Sequence, residues 1–172
     1  MVIFKETVFG TSNVGVYLAL NNRYLFYPPN TKENVVEELK EIDPDLKAVK
    51  TSINGSSVLG ALIALNNKGM IVPSTITKTE LDKLKNNLDS DFAIGVIKAS
   101  NNAFGNLILC NDKGAVISSD LVNYREAVKE SLQVEVVKVL DFAGSTLPGS
   151  CGKANNKGVV VHPMITEKDA EI

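Results

Sequence analysis

Tryptophan is absent from the 172 residues, histidine occurs once, and cysteine twice. Each shortage removes a class of function. Structural zinc wants four closely spaced Cys or His ligands, and only Cys110, Cys151 and His162 exist. The two cysteines are far apart and form no C-x-x-C pair, so a disulfide framework is excluded and a reducing compartment fits. Aromatic residues make up 6% of the chain, so the core has to be built from Val, Ile, Leu and Ala. There is no excess of one charge, with 18 basic against 20 acidic side chains. A protein that held nucleic acid mainly by its phosphates would need a clustered basic surplus. No apolar run of about 18 residues occurs, and the N-terminus "MVIFKETVFG" has no basic region leading into a long apolar one. A soluble, unexported, cytoplasmic protein is expected. Neither G-x-x-x-x-G-K-[ST] nor G-x-G-x-x-G is found, so nucleotide binding has no local support.

What the chain does have is a repeat. "GVYLALNNRY", "GALIALNNKG", "GNLILCNDKG" and "GSCGKANNKG" begin at Gly15, Gly60, Gly105 and Gly149, spaced 45, 45 and 44 residues apart. The turn residues Asn21, Asn66, Asn111 and Asn155 keep the same spacings. A period in this range signals stacked copies of one supersecondary unit. In each copy the residues after Gly are expected to form a strand, such as 61–65. Asn and Gly then supply the positive φ of a tight hairpin, and a second strand follows ("LFY", "MIV", "AVI", "VVV"). Proline closes that strand at Pro28, Pro73 and Pro163.

A helix comes next. Thr77-x-x-Glu80 reads as a capping box, with Leu81, Leu84 and Leu88 on one face. Thr166-x-x-Asp169 stands at the same offset in the fourth copy. Val35, Val36, Leu39 and Ile42 form the stripe in the first copy, and Leu121, Tyr124, Val128 and Leu132 in the third. A third strand ends the unit ("LKAVKTSI", "AIGVIKAS", "VEVVKVLDF"). The fold class is therefore α/β, made of repeated ββαβ units over about 10–53, 54–98, 99–142 and 143–172, the last incomplete. Together they form a single domain, 1–172, and the strand Val2–Phe9 closes the ring.

Local chemistry is sparse. Cys151 is expected in mid-strand, Cys110 just before its turn, and His162 just after its strand; a thiolate–imidazole pair needs these brought together. Their plainer reading is as small buried residues and a strand-end histidine. Asn54-Gly55-Ser56 is an N-x-S sequon, which in a cytoplasmic chain reads as a polar loop. The loops "TSNV", "SSVL", "NNAF" and "TLPG" before each Gly are small, neutral and expected at one end of the ring. Such loops on a rigid scaffold suit a protein partner.

With the units in place, the sequence resembles the archaeal and eukaryotic translation initiation factor 6 family. The residues that carry the likeness are "GVYLALNNRY", "INGSSVLG", "NNKGMIVPSTITKTELDKLKNNL", "NAFGNLILCNDKGAVISSDL", "SLQVEVVKV" and "NNKGVVVHP". They run in order along nearly the whole chain, with an archaeal flavour. The resemblance implies a pentein-type α/β propeller with five units. This sequence has four hairpins, so a further C-terminal segment is expected in the complete family pattern.

The resemblance also implies a non-catalytic role without a cofactor or metal. Members bind the large ribosomal subunit near the sarcin–ricin loop, mainly through a ribosomal protein with a minor rRNA contact, and block joining of the small subunit. No membrane or DNA partner is implied. Asn106 corresponds to a family interface Asn, and Val16, Ala61 and Ser150 share its slot in the repeat. Ser56, Ser57 and Asn102 lie in the loops beside that slot. Two alternatives stand beside this one. Other penteins are guanidine-modifying hydrolases or transferases with a Cys/His site, and a chain short of one unit could be a fragment without full activity.

Overall fold

The computed structural model describes residues 5–142 and 144–167. The first copy comprises α1 (Val14–Tyr17), β1 (Ala19–Leu20), β2 (Tyr24–Tyr27), α2 (Glu33–Ile42) and β3 (Lys47–Lys50). The second comprises α3 (Leu59–Leu62), β4 (Ala64–Leu65), β5 (Gly69–Pro73), α4 (Lys78–Asn87) and β6 (Ala93–Ile97). The third has α5 (Phe104–Leu107), β7 (Ile108–Cys110), β8 (Gly114–Ile117), a 3₁₀ turn (Ser119–Tyr124), α6 (Arg125–Leu132) and β9 (Val136–Val139). The fourth contributes α7 (Pro148–Cys151), β10 (Gly152–Ala154) and β11 (Val159–Val161). In the first three copies an antiparallel hairpin is joined by a third strand running parallel to the hairpin's second strand. This is the expected array of repeated ββαβ-like units.

The helices form where the periodicity places them. Thr77 caps α4, its hydroxyl accepting from the Glu80 N–H at 3.3 Å while Glu80 accepts from the Thr77 N–H at 2.9 Å. Leu84, Leu121, Val128 and Leu132 are all buried. Ile42 departs from its stripe and is 47% exposed, because it is the last residue of α2. The helices α4 and α6 each bridge their own sheet and the preceding one. Leu84 of α4 packs in one cluster with Tyr24 and Phe26 of the first copy and Val72 of the second, a burial worth about 2 kcal/mol. Val128 and Leu132 of α6 likewise share a cluster with Ile71 and Ile97 of the second copy.

Three expectations need correction. The residues after each Gly do not start a strand. Gly15, Gly60, Gly105 and Gly149 are second in the one-turn helices α1, α3, α5 and α7, and strands of two or three residues follow. A short apolar run looks the same in either conformation. Cys151 consequently ends α7 and is not in mid-strand. Finally, no Asn or Gly of the four repeated turns has positive φ. Side-chain carbonyls shape these turns instead. Asn66 Oδ1, for example, accepts from the N–H groups of Lys68 and Gly69, both at 2.9 Å, which is an Asx turn. Of the strand expected at 2–9, residues 2–4 lie outside the described residues, as does Asp169, and Val8 makes an isolated bridge with Thr11.

Candidate interaction face at the glycine end of the repeat

The repeated glycines explain how the copies sit against one another. A Cβ on Gly60 would come closer than 3.0 Å to the carbonyl oxygens of Gly15 and Leu18. On Gly105 it would meet those of Gly60 and Ile63, and on Gly149 those of Gly105 and Ile108. Each one-turn helix thus rests on the backbone of the one before it, and any side chain would push the copies apart. Gly15, first in the series, has nothing within 4 Å of that position.

The Asn turns join the copies at their other end. Asn21 Nδ2 donates to the Asn66 carbonyl (2.6 Å), Asn66 Nδ2 to that of Asn111 (3.0 Å), and Asn111 Nδ2 to that of Asn155 (3.2 Å). A second rung runs beside it. The N–H groups of Asn22, Asn67 and Asp112 donate to Asn67 Oδ1, Asp112 Oδ1 and Asn156 Oδ1 at 2.9, 2.8 and 3.0 Å. These turns are therefore joints between copies, and two of their bases, Arg23 and Lys68, are engaged as well. Lys68 Nζ donates to the carbonyls of Asp112 and Gln133. Arg23 bonds both Asp89 and Asp91. Lys47, Tyr24 and Arg23 together hold the Asp89 carboxyl far below the usual carboxylate range.

At the glycine end, Val16, Ala61, Asn106 and Ser150 are each third in their one-turn helix, immediately after the packed glycine. Val16, Asn106 and Ser150 line one axial cavity of about 630 Å³ with the four glycines; Ala61 stands outside its lining. Ser56, Ser57 and Asn102 lie just ahead of α3 and α5 and are partly exposed. None of the seven takes part in an ion pair among the described residues. The end is thus small-residue, neutral and held rigid from behind. A second cavity, of about 790 Å³, opens among the Asn turns at the opposite end.

Two features escaped the sequence reading. The first is the turn Ile53–Ser56, closed by main-chain bonds of 3.3 and 2.9 Å, with Asn54 (φ 51°) and Gly55 (φ 75°) both left-handed. "Asn-Gly" is a strong signal for such a turn, but the sequon reading obscured it. Val8–Thr11 and Phe142–Ser145 are bridged in the same way. The second is Glu80, which beyond its cap accepts from Ser52 Oγ, Asn54 N–H and Gly55 N–H at 2.6–2.9 Å. Burial would raise its pKa, but the bonds from Gly55, Ser52 and Thr77 outweigh it and hold the group at about 2.

The Cys110 thiol and the His162 imidazole are occupied elsewhere. Burial pushes the Cys110 thiol up to about 12, and it donates to the Leu65 carbonyl at 3.4 Å. His162 meets Cys151 through the main chain, its N–H donating to the Cys151 carbonyl at 2.7 Å, and its Nδ1 accepts from the Met164 N–H. Among the described residues no three His, Cys, Asp or Glu side chains converge as a metal site, and no helix is long and apolar enough to cross a membrane.

Known proteins were compared with this chain. The eIF-6 family pattern matches residues 3–172. Translation initiation factor 6 of Sulfurisphaera tokodaii is 37% identical over 41 residues, which is 24% of this chain and 18% of that protein. Among solved structures, SxtG, an amidinotransferase from Microseira wollei in the saxitoxin biosynthetic pathway, is similar with a TM-score of 0.45 and 12% identity. That match covers 72% of this chain and 41% of SxtG. Each match thus spans less than two thirds of the relative.

Proposed function

Because this chain belongs to the eIF-6 family, we propose that it binds the large ribosomal subunit in the cytoplasm and keeps the small subunit from joining too early. It would act by occupying space, without catalysis or a cofactor. The partner would be mainly a ribosomal protein near the sarcin–ricin loop, with a minor rRNA contact. The observation that carries this reading is the glycine end of the repeat. Four equivalent one-turn helices present Val16, Ala61, Asn106 and Ser150 at matching positions, with Ser56, Ser57 and Asn102 beside them. A neutral surface of short side chains fits a protein surface better than a phosphate backbone. Its backing by backbone-to-backbone contacts lowers the ordering cost of binding.

Sedimentation of the purified chain with large subunits tests this, followed by a subunit-joining assay. The chain is expected to travel with large subunits and suppress joining. Asn106→Arg, which puts an unpaired charge into the face, should weaken binding by about tenfold or more. Lys157→Glu, at the opposite end, should leave binding unchanged. Failure of the wild-type chain to sediment with large subunits at both low and near-physiological magnesium would refute the proposal.

A further inference from the structure

Asn54 and Gly55 are the only Asn-Gly pair in the sequence. In a flexible chain such a pair loses ammonia readily, because glycine has no Cβ to shield its amide nitrogen from the neighbouring side-chain carbonyl. Here Asn54 is exposed, but the attacking nitrogen is tied up. The Gly55 N–H donates to Glu80 Oε1 at 2.9 Å, and the Asn54 N–H donates to Oε2 at 2.8 Å. The same two oxygens also accept from Ser52 Oγ at 2.6 Å, the Thr77 N–H at 2.9 Å and Thr77 Oγ1 at 2.8 Å.

We propose that Asn54 is a deamidation site of this protein and that the Glu80 carboxylate sets its rate. The Gly55 nitrogen must shed its proton to attack, and a carboxylate beside it disfavours the negative charge that develops there. Swinging the Asn54 side chain into reach of that nitrogen also requires the left-handed turn to open, which breaks both amide bonds to Glu80. In the reaction, a bond forms between Gly55 N and Asn54 Cγ and the Cγ–Nδ2 bond breaks. Ammonia leaves, carrying the proton from Gly55. Water then opens the cyclic imide at either carbonyl, leaving aspartate or isoaspartate at position 54. Both products place a second carboxylate beside Glu80. The isoaspartyl form also lengthens the main chain by one carbon, which the two-residue turn between Ile53 and Ser56 cannot absorb. Ser56 and Ser57 follow directly, so ageing at Asn54 would distort the face described above. That consequence rests on the proposed function, whereas the chemistry at Asn54 does not.

The experiment ages the full chain in mildly alkaline buffer, folded and in concentrated urea. It follows the Asn54 peptide by mass spectrometry and isoaspartate by enzymatic methyl labelling. The folded wild type should convert at least about tenfold more slowly than the denatured chain, since reaction requires local opening. Glu80→Gln, which removes the charge and one acceptor, should recover most of that difference, with circular dichroism confirming the fold. Ser52→Ala, which loosens Glu80 without touching either amide, should accelerate conversion to a lesser degree and serves in place of Glu80→Gln if that variant unfolds. Equal rates in folded and denatured wild type would overturn the proposal. So would a folded Glu80→Gln as slow as wild type, or an unaccelerated Ser52→Ala. Because mass is the readout, a chain that never binds a ribosome tests this equally well.

Discussion

At the scale of single residues, four glycines with one sequence context have two different environments. Gly60, Gly105 and Gly149 each sit where a methyl group would strike a carbonyl oxygen of the preceding copy, while Gly15 faces open space. The same substitution should therefore have opposite signs along the repeat. Gly60→Ala or Gly105→Ala is expected to cost about 2–4 kcal/mol, as overpacking against backbone that cannot yield. Gly15→Ala should be neutral or stabilise by up to about 1 kcal/mol, since alanine suits a helical turn better. Urea unfolding of the three variants reads the difference directly. A penalty of equal size at Gly15 would show that the glycines serve backbone conformation and not packing.

At the scale of elements, the joints are made by side chains reaching beyond their own hairpin or helix. Asn66 shapes its own turn through Oδ1, while its Nδ2 donates to the carbonyls of Asn111 and Leu132. Glu80 caps α4 and at the same time pins the Asn54–Gly55 turn. Its folded pKa of about 2 lies below the ordinary 4.5. Its contribution to stability is accordingly present above pH 4.5 and is lost as pH falls from 4.5 towards 2. Asp89, bound by Lys47, Tyr24 and Arg23, adds to the loss in the same direction. Glu80→Gln should be less stable at neutral pH and show a shallower fall through that window. Chemical denaturation at stepped pH measures the slope, and an unchanged slope would mean the carboxylate's bonds do not survive in solution.

At the scale of the molecule, protection should be graded along the array. The second copy is flanked on both sides, and all five residues of β5 are buried. The hairpin of the fourth copy is open, with Val159 53% and Val160 78% exposed. Native-state amide exchange should therefore find the slowest amides in β5 and β6 and the fastest strand amides in β10 and β11, in keeping with stability that opens locally by unit. Uniform protection across all four hairpins would contradict that gradient.

The period, the hairpin–helix–strand order that follows each one-turn helix, and most of the helix stripes are legible in the residues, because each shows in the pattern of one copy. The Thr77–Glu80 box and the apolar stripes of α4 and α6 can be read within one copy, although the surfaces those stripes cover lie partly in the copy before. The reasons for the repeat's two most regular letters were not legible. Glycine recurs at 60, 105 and 149 because a Cβ there would strike a carbonyl of the copy before, 45 or 44 residues away in sequence. Asparagine recurs because its amide reaches the next copy's turn across the same distance. Both residue types also favour turns on their own, so a local reading assigns them a conformation and stops there. The seven residues of the candidate face met the same limit. The sequence could place Val16, Ala61, Asn106 and Ser150 at equivalent positions, but only the structure shows the one-turn helices that carry them resting on one another.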